Sequence, residues 1–397
     1  MRIGDFCKTN LYAYSEKEKW SEIHYLDTGN ITRGKVAEIQ TLVPGIDAIP
    51  SRARRKVQVN DIIYSTVRPN QRHYGIIKTH DPNMLVSTGF VVITVDTRIA
   101  DPDFIYYFLT QDDVVETLEA IGEQSTSAYP SIKPVDIENL EVELPPLEVQ
   151  KTAGAMLRQL DRKCVVNDEI NDNLLQQLRA IFMERFTNNP ALESIQQVPL
   201  SELCSVVTKG TTPTTLGKPF VDRGINFLKA ESILDNHSLD KGKFAHIDEE
   251  THDMLKRSVI YAGDIIFTIA GTLGRFALID SDILPANTNQ AVAIIRADKG
   301  RISPEYLYAC FIGNWHNDYY SKRVQQAVQA NLSLTTIKSL PIPVLTQDEM
   351  VSYMALISPI IRMLKQNEME NERLAALRDT LLPRLMSGEV DVSNIDI

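Results

Sequence analysis

The property that most constrains this chain is that it repeats itself. Asp61-Ile62-Ile63-Tyr64-Ser65, with Arg72 beyond it, matches Asp264-Ile265-Ile266-Phe267-Thr268, with Arg275 beyond it, at an offset of 203 residues. Pro102-Asp103-Phe104-Ile105-Tyr106 returns as Pro304-Glu305-Tyr306-Leu307-Tyr308 at 202, and Tyr25-Leu26 leading to Ile31 returns as Phe227-Leu228 leading to Ile233, also at 202. Ile137, Leu140, Val142, Leu144 and Glu148 return as Ile337, Leu340, Ile342, Val344 and Asp348 at 200. So small a drift means short insertions and deletions inside one fold that is used twice. The 397 residues are therefore two copies of a unit of about 200.

Each copy changes character part-way along. Its first part carries short apolar runs such as Phe90-Val91-Val92-Ile93-Thr94-Val95, which predict buried strands, and a helix over Pro102 to Leu109. A proline-rich hinge follows, Leu144-Pro145-Pro146-Leu147 in one copy and Pro341-Ile342-Pro343-Val344 in the other, where a domain edge is expected. Beyond the hinge the spacing becomes four and three: Ala153, Leu157, Leu160, Cys164, Asn167, Asn171, Leu174, Leu178, Ile181. The second copy repeats it at a constant 200, from Tyr353, Ile357, Ile360 and Leu364 through Asn367 and Asn371 to Leu374, Arg378 and Leu381. On pattern alone such a stripe also suits an amphipathic core helix. The asparagines at matching seam positions favour a register-fixing role, because a polar seam residue penalises wrong alignments. Asn167, Asn171, Asn367 and Asn371 are thus expected to align the two helices antiparallel against each other.

Charge constrains function. The chain carries 41 basic and 52 acidic side chains, a net −11, which by itself opposes a nucleic-acid partner. The distribution says otherwise. From Arg33 to Lys78 there are nine basic residues against three acids, whereas Asp96 to Glu148 holds thirteen acids against Arg98 and Lys133. The acidic segment is expected to turn away from DNA, serving a protein partner or solubility. In the second copy, nine basic residues from Lys209 to Arg275 are balanced by nine acids, and the polar loops Thr211-Thr212-Pro213 and Asn287-Thr288-Asn289-Gln290 supply candidate base-edge contacts or plain turns. The start of the sequence lacks a signal-peptide pattern, no apolar run suits a membrane span, and the four cysteines are scattered, so a cytoplasmic protein is expected.

Two globular copies joined by a helical rod of about 36 residues, on the order of 50 Å at ~1.5 Å per residue, suit a long ligand gripped at two places. DNA is the natural candidate, with the rod as a ruler between half-sites. The candidate contacts are Arg52, Arg54, Arg55, Arg68 and Arg72 in the first copy and Thr272 and Arg275 in the second. Arginine serves both phosphate clamping and bidentate reading of guanine. Arg72 and Arg275 hold equivalent repeat positions, which suggests a shared phosphate-positioning role.

The layout resembles the specificity (S) subunit of Type I restriction–modification enzymes over nearly the whole chain. The resemblance is carried by Gly263-Asp264-Ile265-Ile266-Phe267 with Ala270-Gly271-Thr272-Leu273-Gly274-Arg275, and by Asn289-Gln290-Ala291-Val292-Ala293-Ile294-Ile295-Arg296. Tyr129-Pro130-Ser131-Ile132 leading to Leu144-Pro145-Pro146-Leu147-Glu148-Val149-Gln150, and the terminal Leu377-Arg378-Asp379-Thr380-Leu381-Leu382-Pro383-Arg384-Leu385-Met386-Ser387-Gly388-Glu389, complete it. It implies duplicated α/β (α+β) target recognition domains at 1–146 and 191–343. These would be separated by two long antiparallel coiled-coil helices, in helical regions at 147–190 and 344–397, with a pseudo-two-fold internal repeat. It further implies a bipartite asymmetric DNA target and two docked methyltransferase (M) subunits that bring S-adenosylmethionine. Motor-nuclease (R) subunits using ATP and magnesium would join them, leaving no cofactor in this chain. The first copy departs from the pattern, with Arg68-Pro69-Asn70-Gln71-Arg72 in place of Gly271 to Arg275 and Ser87-Thr88-Gly89 in place of the Asn-Gln motif.

Catalytic motifs are missing. Six residues separate Gly210 from Gly217 and Pro219 follows Lys218, so this is no Walker A loop. No amino-methyltransferase Asn-Pro-Pro-Tyr-like segment, H-E-x-x-H or G-x-S-x-G occurs, and the spacing of His246 and His252 matches no metal motif. A non-catalytic, DNA-reading subunit is the leading expectation. A methylation-only system without nuclease, a coiled-coil scaffold that binds no DNA and an unrecognised enzyme remain as alternatives.

Overall fold

The computed structural model describes residues 1–125, 130–187, 195–315, 319–320, 331–392 and 395. Tyr129 and the expected boundary between 190 and 191 lie outside these residues. The chain forms two compact units, the first Met1–Val165 with Glu372–Ile397 and the second Val166–Asn371.

The first unit is built on two four-stranded sheets. One has the order Cys7–Thr9, Phe90–Val95, Ile62–Ser65, Tyr74–Ile76, antiparallel throughout. The other has the order Gln40–Leu42, Ile23–Leu26, Met84–Ser87, Ala53–Lys56, with its two central strands parallel and its edges antiparallel. The second unit repeats both. Its sheets run Cys204–Lys209, Val292–Ala297, Ile265–Thr268, Phe276–Leu278, and Ala245–Ile247, Ile225–Leu228, Ala286–Thr288, Val259–Ile260, again with a parallel central pair.

The unbroken apolar runs are explained by burial on both faces. Successive side chains alternate between two cores: Ile62, Tyr64, Val91 and Ile93 enter one cluster with Phe104 and Tyr107, while Ile63, Phe90 and Val92 enter another with Leu26 and Val86. Ile265, Phe267, Ala293 and Ile295 against Ile266, Val292 and Ile294 divide in the same way. Helix Pro102–Thr110 starts where Asp101 accepts the Phe104 N–H at 3.0 Å, and helix Pro304–Ile312 where Ser303 accepts the Tyr306 N–H at 3.0 Å, each with proline in the first turn.

Both predicted long helices form, as Leu147–Phe186 and Gln347–Met386. In the second unit they pair antiparallel through the asparagines: Asn167 Nδ2 donates to Asn371 Oδ1 at 2.9 Å and Asn367 Nδ2 to Asn171 Oδ1 at 2.8 Å. Leu174, Leu178, Ile357 and Leu364 line the same seam. In the first unit the pairing passes from Ala153 and Leu157, packed with Leu382 and Leu385, to an ion pair in which Arg378 Nη1 donates to Asp161 Oδ1 at 2.7 Å. The seam does not stay a strict heptad. Near the end of the first helix the buried positions move from Ile181 to Phe182 and Phe186, because an α-helix at 3.6 residues per turn drifts off a 3.5 repeat unless a partner helix restrains it. Pro341–Pro343 is itself a strand, paired with Gln197–Pro199 in a two-stranded sheet where missing N–H groups face outward.

Candidate nucleic-acid interface

The two units carry equivalent loop clusters at the carboxyl ends of their central parallel strands. In the first unit, Thr88 N donates to Arg52 O at 2.9 Å, tying the Arg52 turn to the end of strand Met84–Ser87. Thr66 N and Oγ1 both donate to Gly89 O, at 2.8 and 2.9 Å, which brings the 66–73 loop to the same place. Arg33 N donates to Arg72 O at 2.8 Å, adding the tight turn at 33–34. Arg33, Arg68 and Arg72 all adopt left-handed backbone, at φ 49°, 49° and 57°, as do Gly271 and Gly274 at 77° and 85° in the second unit. Non-glycine residues in this region cost free energy, and at the equivalent position the first unit bends with Arg68 where the second bends with Gly271.

The candidate arginines differ in exposure and in how their side chains are held. Arg52 and Arg68 are exposed. Arg72 is half-buried and held by Asp112 at 2.7 Å; burial alone would lower its pKa, but the Asp112 carboxylate and the Tyr74 hydroxyl raise it overall. Arg55 points inward, its guanidinium donating to Asn10 Oδ1, and burial lowers its pKa. Arg54 is half-buried on the strand Ala53–Lys56. In the second unit Thr272 is exposed, whereas Arg275 is gripped bidentately by Asp235, both contacts at 2.6 Å, and also donates to Ile233 O at 3.2 Å. The equivalent Arg72 and Arg275 thus brace their own loops through carboxylates from different elements.

The acidic segment does not turn wholly away from the basic one. Asp112 holds Arg72, Asp103 holds Lys78 at 2.7 Å, and Glu119 accepts the Asn70 N–H at 3.0 Å. These acids shape the 68–78 region. Beside them lies a cleft of about 380 Å³ whose lining sets Arg33, Arg72 and Arg378 against four aspartates, a balance that does not favour an anion.

In the second unit the two polar loops meet. Thr212 Oγ1 donates to Gln290 Oε1, and Arg257 Nη2 donates to Thr211 Oγ1 at 2.9 Å. Ile269 N donates to Ala291 O at 2.8 Å, bringing the Thr272 loop alongside. Asn287 and Thr288 are fully buried and structural: the Asn287 amide donates to Leu255 O at 3.3 Å and Thr288 Oγ1 to Leu228 O at 2.9 Å. Arg33 and Arg257 stand in these loop clusters, with Lys256 next to Arg257, beside the candidate contacts named from the sequence. Arg33 belongs to the basic stretch, and its position before Gly34 was the available signal. Lys256 and Arg257 did not stand out because nearby acids cancel them in a charge count. No group of three potential metal ligands occurs among the described residues, and no described helix is long and apolar enough to cross a membrane.

Two copies of one two-sheet framework, with differing polar loops at equivalent strand ends and paired long helices, define a duplicated recognition protein. The chain matches the Type I restriction modification DNA specificity domain over residues 1–179 and again over 193–372, and it belongs to that family. It is a Type I restriction–modification specificity subunit, and its function is DNA sequence specificity. It is 22% identical to the Type I restriction enzyme HindI specificity subunit of Haemophilus influenzae, over 98% of each chain. It is 20% identical to the Type I restriction enzyme MjaIX specificity subunit of Methanocaldococcus jannaschii, over 74% of this chain and 70% of that one. The crystal structure of the Type I restriction-modification S subunit from M. genitalium shares the fold, with a TM-score of 0.52 at 15% identity over 97% of this chain and 95% of that one.

Proposed function

We propose that each unit reads one half of a bipartite, asymmetric DNA sequence. In this reading the long helices fix the unread spacer and dock two methyltransferase subunits. The observation that carries it is the pairing of an identical sheet framework with dissimilar loops: Arg33, Arg52, Arg68 and Arg72 cluster at one set of strand ends, and Thr212, Arg257, Thr272 and Gln290 at the other. A shared scaffold with different polar side chains suits two different half-sites. Arg52, Arg54 and Arg68 act on phosphates or guanine edges, Arg55, Arg72 and Arg275 hold the loops that carry such contacts, and Thr272 faces the second half-site.

The helices support docking. Val166, Ile170, Leu356, Met363 and Met369 of the second unit, and Val165 and Leu377 of the first, are exposed apolar side chains on the outer faces of the helices. In this reading they are the apolar contacts offered to the methyltransferase subunits. The chain itself performs no catalysis; methyl transfer with S-adenosylmethionine, and cleavage with ATP and magnesium where motor-nuclease subunits join, belong to the partners. The assembly works in the cytoplasm. The test is duplex binding by the complex with its methyltransferase subunits across a salt series. A steep linear fall of log affinity with log salt, stronger on target than on scrambled duplex, is expected. Flat salt dependence, or equal binding to both duplexes, would refute the reading.

A further inference from the structure

We infer that Gln290 and Arg257 are the base-contacting residues of the second unit, and that they stand where Thr88 and the Arg52–Arg55 segment stand in the first. The inference rests on the DNA-reading proposal above. Strand register gives the equivalence. His24 faces Met84 and Asn226 faces Ala286 across the parallel pairs, so Ser87-Thr88 corresponds to Asn289-Gln290. On the next strand Lys56 faces Leu85 and Val259 faces Asn287, so the Lys256-Arg257-Ser258 turn occupies the place of Arg52 to Arg55. The first unit inserts a bulge between Ala53 and Arg55, so the residues before it are displaced by one position relative to the second unit.

The local chemistry fits reading rather than bracing. Gln290 is exposed at the end of a central strand whose preceding residues, Asn287 and Thr288, are fully buried, so its backbone is fixed. The Thr212 hydroxyl donates to its amide oxygen, which sets the amide plane while both N–H donors and one oxygen lone pair remain. That is the donor and acceptor pair that reads adenine N7 and N6. Arg257 is exposed, makes no ion pair with another described residue, and spends one N–H on Thr211, leaving the rest of its fork for a guanine edge. Arg275, by contrast, is already committed to Asp235 and Ile233.

The test maps methylated sites in cells carrying the complete complex with Gln290→Ala, Arg257→Ala or Arg257→Lys. Gln290→Ala should relax a single base position in one half-site, with discrimination there falling about tenfold, while the other half-site and the spacer stay unchanged. Arg257→Ala should relax a different position in the same half-site, and Arg257→Lys should fail to restore it, because lysine keeps the charge but not the fork. An unchanged motif in Gln290→Ala, restoration by Arg257→Lys, or equal loss of both half-sites in a complex that still assembles would each overturn the inference. Should the unaltered complex show no bipartite motif, the broader proposal fails instead, so the two failures are distinguishable.

Discussion

Asp61 and Asp264 occupy equivalent turns, each only 1% exposed, and the two units satisfy them differently. Asp61 accepts the Gln58 N–H at 2.7 Å and the Thr94 hydroxyl at 2.6 Å, and burial raises its pKa. Asp264 accepts the Tyr261 N–H at 2.8 Å and a bidentate pair from Arg296 at 2.8 and 2.7 Å, with the guanidinium lying over the Tyr261 ring at 4.3 Å. Arg296 and Thr94 sit at the same strand position. Arg296→Ala therefore leaves a buried carboxylate with one donor. Breaking such a pair costs ~3–5 kcal/mol, and the lower end applies because Arg296 keeps 28% exposure. Arg296→Thr imports the hydroxyl of the other unit and should return about 1 kcal/mol. Hydrogen exchange resolves both in one sample. Protection of Ile265–Thr268 and Val292–Ala297 should fall by roughly two orders of magnitude in Arg296→Ala, while Ile62–Ser65 and Phe90–Val95 serve as the internal reference. A fall of less than tenfold, or no recovery with threonine, would refute the reasoning.

His237 is buried against Phe276 with ring centroids 3.9 Å apart; burial and then Arg179 push its pKa down to about 4, against smaller opposing contributions from Asp235 and the Phe276 backbone. The unfolded chain takes up that proton first, so stability is full above about pH 7 and falls as pH drops from about 6.5 towards 4, by about 2 kcal/mol between pH 7 and 5. His237→Asn, which tolerates the φ of 68°, should remove that slope in urea titrations at the two pH values. Deleting one heptad from each long helix shortens it by about 10 Å, or roughly three base pairs, and methylation mapping should show a shorter spacer between unchanged half-sites. Altered half-sites with the spacer intact would sink the ruler. Arg52→Ala should weaken binding to all duplexes alike and reduce the salt slope by about one, as read by fluorescence anisotropy; loss of sequence preference instead would show it to be a base reader.

The duplication and the long helices were legible because they rest on period and offset, which survive divergence. The Asn167–Asn371 and Asn171–Asn367 contacts follow from one rule about polar seam residues. Within the recognition units, the apolar strands were legible but their division between two cores was not, since a run buried on both faces has no period. The loops were least legible. Arg72 and Arg275 looked alike in sequence, yet each is claimed by an aspartate from a segment that no local pattern connects to it. Arg257 did not stand out because Asp248, Glu249, Glu250 and Asp253 cancel its charge along the chain, although it is displayed in space.

The most direct measurement of the central claim is genome-wide methylation mapping with the chain present, then deleted, then restored with the loops of its second unit exchanged for those of a relative. The account predicts a two-part motif that vanishes on deletion and returns with one half changed, the other half and the spacer intact. A single contiguous motif, or methylation indifferent to the chain, would contradict it.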